Sequence, residues 1–96
     1  MPTPPVSYVL PLRWERIDPA ATAEMTAYLS GLRELVDVTV IDGSPPAVYA
    51  HHHGAWGELV RHAPPDPAYQ FANGKVNGVM TGVLNARHDH VVIADD

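Results

Sequence analysis

The chain contains no cysteine, a single lysine and a single phenylalanine in 96 residues. Without thiols it forms neither disulfides nor cysteine-ligated zinc, which fits a reducing compartment and makes a cytoplasmic location the expectation. Six basic residues against eleven acidic ones leave a formal net charge of -5. Arg13, Arg16, Arg33, Arg61, Lys75 and Arg87 are scattered rather than gathered into a stripe. Nucleic acids are bound by clustered cations, so a nucleic-acid partner is not expected. No apolar run reaches the ~18 residues of a transmembrane helix. Met1-Pro2-Thr3-Pro4-Pro5 has neither the basic region nor the apolar stretch of a secretory signal. At this length one domain is the most the chain can form, and its apolar share of 46% is that of an ordinary globular protein.

What is present reads as strands alternating with helices. Val6 to Leu12 is a short apolar run that suits a strand buried on both faces. Asp18-Pro19 is a helix start, an N-cap acid followed by proline at the first helical position. Ala21, Met25, Tyr28, Leu29 and Leu32 then recur at helical spacing and predict a face packed on a sheet. Leu35 to Ile41, rich in β-branched residues, predicts the second strand. It stops at Asp42-Gly43-Ser44-Pro45-Pro46. Val48, Ala55, Trp56 and Leu59 predict a second helix over 47–60, weakened by Gly54 and Gly57. Arg61 to Ala63 reads as a short third strand and Pro64 to Pro67 as loop. Val76, Val79, Met80, Val83 and Leu84 predict a third helix, and His90 to Ala94 a final strand. The expected architecture is α/β: a mainly parallel sheet of about four strands with three helices.

In such a sheet the carboxyl ends of the strands share one edge, where ligands bind. That edge collects Pro11, Leu12, Arg13 and Glu15 after the first strand, Asp42, Gly43 and Ser44 after the second, and Asp95 and Asp96 after the last. Lys75 opens the helix leading into the last strand. The chemistry is coherent. Asp42 can accept hydrogen bonds from a base or sugar, Lys75 can face a phosphate, and Asp95 and Asp96 can bind a hard divalent cation that bridges to phosphates. Each feature also has a plainer reading. Asp42-Gly43-Ser44 is an ordinary turn, Asn73-Gly74-Lys75 the start of a helix, and Asp95-Asp96 a solvated acidic pair.

Three consecutive histidines, His51 to His53, invite a metal reading. Consecutive helical residues point in different directions, however, and metal pairs favour a spacing of four. His62 is read as a loop residue, and Trp14 and Trp56 are read as packing residues. Gly74, Gly78 and Gly82 recur at four-residue spacing but do not form the glycine-rich dinucleotide turn. There is no Gly-x-Ser-x-Gly elbow and no thiol nucleophile.

The order and spacing of Val9-Leu10-Pro11-Leu12-Arg13-Trp14-Glu15, Val38-Thr39-Val40-Ile41-Asp42-Gly43-Ser44, Asn73-Gly74-Lys75-Val76-Asn77-Gly78 and Val91-Val92-Ile93-Ala94-Asp95-Asp96 resembles the N-terminal half of a family 2 glycosyltransferase with the GT-A fold. The resemblance spans essentially the whole chain. It implies a Rossmann-like half-domain over 1–96 that binds a nucleotide-sugar, with base and ribose near Pro11, Asp42 and Lys75. It implies that Asp95 belongs to the Asp-x-Asp region and that Asp96 contacts a diphosphate-bound Mg or Mn. It also implies that the chain ends before a further metal-binding aspartate, the acceptor half and the acidic general base. No residue here is assigned as that base. A full-length form associated with a membrane is within the family's range.

Two functional expectations result. The first is the donor-binding region of a glycosyltransferase, inactive by itself. The second is a non-catalytic α/β module binding a nucleotide or a protein, with the last strand as an edge open to self-association.

Overall fold

The computed structural model describes residues 6–66 and 90–93. Among these the elements are β1 (Val6–Leu12), α1 (Pro19–Leu32), β2 (Asp37–Asp42), α2 (Pro46–Trp56), β3 (Arg61–Ala63) and β4 (His90–Ile93). The class is α/β, and the strands pair in parallel in the order β3-β2-β1-β4. The helix expected over 76–84, together with Lys75, Asp95 and Asp96, lies outside the described residues.

β1 runs between β2 and β4. Its stretch Val9-Leu10-Pro11-Leu12 is buried throughout, as a strand flanked on both sides and covered on its faces requires. Among the described residues the register with β4 runs from Val6↔His90 to Val9↔Ile93.

The helix α1 begins as its sequence dictates. Asp18 Oδ1 accepts from the Ala21 N–H at 3.0 Å, and Pro19 occupies the first turn. Leu29 is fully buried, and Met25 and Leu32 pack beside it. The stripe is not quite the expected one. Thr22 is buried, whereas Tyr28 is half exposed and shares a 2.8 Å hydroxyl–hydroxyl hydrogen bond with Tyr8.

The second strand starts later than expected and ends one residue further on. The N–H groups of Leu35 and Val36 both donate to Leu32 O, at 2.9 and 3.1 Å, so these residues complete the turn that closes α1. At the far end the pairing Leu12↔Asp42 carries the ladder through the aspartate. α2 is shorter than expected for a similar reason. The N–H groups of Leu59 and Val60 fold back onto Trp56 O at 2.9 and 3.1 Å.

Leu10 and Leu12 of β1, Val38 and Val40 of β2, Leu29 of α1 and Trp56 of α2 form one buried cluster. Both helices therefore close over the same face of the sheet. The Trp56 Nε1–H donates to Thr26 Oγ1 at 3.0 Å, and the Thr26 hydroxyl donates to Thr22 O at 2.7 Å, which ties α2 to α1. Strand side chains alternate between faces. Asp42 thus continues the row of Val38 and Val40 and points into the face that the helices cover.

Candidate functional site

The ends of β1 and β2 are held together by three hydrogen bonds, and a fourth braces the loop after β2. The Gly43 N–H donates to Leu12 O at 2.9 Å. Arg13 Nη1 donates to Gly43 O at 2.8 Å. The Trp14 N–H donates to Ser44 Oγ at 2.9 Å, and the Ser44 N–H donates to Asp42 Oδ1 at 3.0 Å. Arg13 also meets Glu15 through Nε at 2.7 Å, with both side chains exposed. The expected juxtaposition of Arg13 and Glu15 with Gly43 and Ser44 is present. Pro11 and Leu12 are buried within β1, so they shape this edge from beneath.

Asp42 is the deepest of these residues, with a side chain of 0% exposure. Its Oδ2 accepts from His52 Nδ1 at 2.7 Å and from His62 Nε2 at 2.8 Å. Burial pushes the carboxyl pKa up from 3.8, but hydrogen bonds from His62, Ser44 and His52 outweigh it and leave the group at about 2. Donors aimed at a charged carboxylate favour the charged form in this way. Asp42 is therefore an ionised acceptor, and each facing histidine nitrogen carries a proton. With this geometry the carboxylate has no surface of its own, and a ligand reaching it must displace one of these donors.

The network extends beyond Asp42. The second nitrogen of His62, Nδ1, lies 2.8 Å from His53 Nδ1. Tyr49 stacks on His62 at a centroid distance of 4.4 Å and on His53 at 5.8 Å. Burial, followed by the charge of Asp42, raises the Tyr49 pKa. Trp56 stacks on His52 at 4.3 Å, and Trp14 meets the His52 ring edge-on at 4.7 Å. His52 Nε2 is buried and has no hydrogen-bond partner among the described residues. With the proton on Nδ1 it is a bare acceptor, a smaller penalty than an orphaned N–H.

His52, His53 and His62 carry no role in the sequence reading, yet they form the polar heart of the described fold. His62, passed over as a loop residue, is a buried member of β3. A signal existed for His52: it stands four residues from both Val48 and Trp56, and these three are the buried positions of α2. The histidine run does not build a metal centre. Among the described residues no cluster of three or more histidine, aspartate, glutamate or cysteine side chains is arranged to hold a metal ion. The nitrogens of His52 and His62 both aim at one oxygen rather than at a common open point.

Comparison with known protein families, curated proteins and solved structures gives no match to this chain. Among the described residues, no helix is long and apolar enough to cross a membrane.

Proposed function

We propose that the chain is the donor-binding region of a glycosyltransferase, holding the nucleotide of a nucleotide-sugar at the carboxyl edge of its parallel sheet. The observation that supports this most is the side-by-side ending of β1 and β2. Leu12 pairs with Asp42, and the loops that follow are joined through Arg13, Gly43, Trp14 and Ser44. Parallel α/β sheets bind ligands beyond the carboxyl ends of their strands. Arg13 is exposed there and supplies a guanidinium suited to phosphate. The Ser44 hydroxyl, which accepts from Trp14 and supports the Asp42 carboxylate, fixes the loop that would face the nucleotide.

Asp95 and Asp96 follow Ile93, the last residue of β4, by two and three positions in the sequence. As paired carboxylates they are the oxygen donors that Mg or Mn prefers. In this reading they hold the cation, and Lys75 serves the donor as well. When bound, the cation offsets the charge of the diphosphate. Transfer to an acceptor requires a base, a role that this reading assigns to no residue of the chain.

The reading is tested by amide chemical-shift mapping with uridine, guanosine and thymidine diphosphates in the presence of Mg. The expected shifts concentrate on Arg13 to Glu15 and on Gly43 and Ser44. Shifts that avoid both loops for all three nucleotides overturn it. Binding that is indifferent to Mg favours the non-catalytic module.

A further inference from the structure

Three histidines and one aspartate share a chain of hydrogen bonds that runs from the buried Asp42 to His53 at the surface, and its proton count is limited by geometry. Asp42 is acceptor-only when ionised, so His62 must present Nε2–H to it. The Nδ1 of His62 then faces the Nδ1 of His53 at 2.8 Å. A nitrogen–nitrogen contact this short holds one proton between the two atoms. With both rings neutral, His53 donates to the bare Nδ1 of His62. With one proton added, either ring is an imidazolium and the same contact persists as a charge-assisted hydrogen bond, which is the stronger kind. With two added, both nitrogens carry hydrogens aimed at each other and the contact has to break. The charge of Asp42 compensates the first added proton, and no second carboxylate among the described residues bonds to the pair.

We infer that Asp42, His62 and His53 form a one-proton clasp that fastens α2 to β2 and β3, tightened by the first proton taken up and opened by the second. The clasp is placed to matter. Asp42 also anchors the Ser44 N–H, so the arrangement of the 42–44 loop is linked to the state of the histidines. The inference rests on the geometry of the chain itself and not on the identity of any ligand.

The surroundings fit a ring held in place for this contact. A Cβ on Gly57 would lie 3.0 Å from His53 Cε1 and 3.1 Å from its Nε2, so the glycine leaves the space that the His53 ring fills as it leans toward β3. Tyr49 stacks on both rings. Among the described residues, the titratable groups facing the pair are Asp42 from β2 and Tyr49 and His52 from α2; Arg61, next to His62 in β3, turns to the opposite face. Among the acids and bases, Asp42 stays ionised through the range in which imidazoles titrate.

The test is an imidazole nitrogen NMR titration from about pH 8 to about pH 4, the span in which histidine changes charge. Tryptophan emission is followed in parallel. The chain has two tryptophans, and both Trp14 and Trp56 contact the cluster, so emission reports on it directly. The expected result is two separated steps for the His53–His62 pair. The first leaves the ring contacts intact, and the second coincides with a change in emission and loss of the His62 Nδ1 hydrogen bond. In His53→Gln the second step is lost while the protein stays folded, since His53 is at the surface. If that variant fails to fold, the wild-type nitrogen titration alone decides. Independent single-step protonation of His53 and His62, with no coincident change in emission, overturns the clasp.

Discussion

His62 Nε2 donates to Asp42 Oδ2 at 2.8 Å from the neighbouring strand, with both side chains shielded from solvent. This contact joins β2 to β3 through side chains at the edge where the parallel ladder ends. It also explains how a charged carboxylate persists in the interior: an unpaired one costs many kcal/mol, and one with several donors does not.

Acid sensitivity follows from that carboxylate. Its pKa falls from 3.8 to about 2 on folding. A depressed folded-state pKa contributes stability that is fully present above the unfolded value and is lost as pH falls through the folded one. The contribution is about 2 kcal/mol, and it disappears between about pH 4 and about pH 2. Urea unfolding at a series of pH values measures it. Asp42→Asn is expected to remove this part of the pH dependence and to cost about 2–3 kcal/mol at neutral pH, the scale of a hydrogen bond to a charged group.

The link between the helices is a second point of sensitivity. Thr26→Val keeps the shape but leaves the buried Trp56 Nε1–H without its acceptor. A loss of about 1–3 kcal/mol is expected, as for other unsatisfied buried donors. Thr26→Ser, which keeps the hydroxyl, is expected to recover most of it. Thermal unfolding of the two variants separates the hydroxyl from the methyl group.

Arg13 and Ser44 divide the site into a surface part and a structural part. Arg13 is exposed and paired with Glu15, so Arg13→Ala is expected to change stability by less than about 0.5–1 kcal/mol while weakening nucleoside diphosphate binding about tenfold, near 1.4 kcal/mol. Ser44→Ala removes the acceptor of the Trp14 N–H and is expected to cost about 1 kcal/mol of stability. Denaturation and binding measured on both variants test the division.

The two tyrosines near the start of the sheet give an optical prediction. Burial, then the hydrogen bond and charge of Tyr28, push the Tyr8 pKa up from 10.0 to about 12. In an alkaline absorbance titration one tyrosine is expected to ionise last. Tyr28→Phe removes the second and third of these causes and is expected to bring Tyr8 part of the way back, burial remaining.

Much of the fold is written in local patterns. The run Val9 to Leu12 declares a covered strand, and Asp18-Pro19 declares the start of α1. Both signals are short-range, and both hold. Boundaries were harder to read, because Leu35 and Val36 are β-formers that spend their N–H groups on Leu32 O, a choice made by the helix before them. The site was legible as a set of loops and not as a network. Asp42 at the end of a strand suggested an open ligand-binding acid. Its true neighbours, His52 and His62, stand ten and twenty residues away, and only the packing of α2 and β3 brings them together. Alternation with Val38 and Val40 was the available hint that Asp42 turns inward.

Nucleotide binding at the carboxyl edge of the sheet is the proposed function. Isothermal titration with uridine, guanosine and thymidine diphosphates, with and without Mg, tests it most directly. Expected is saturable 1:1 binding of at least one of them, with a Kd on the order of 0.1 to 1 mM, weakened by removal of Mg and by Arg13→Ala. Folded protein that binds none of the three at concentrations of about 10 mM, a binding energy below about 3 kcal/mol, contradicts it.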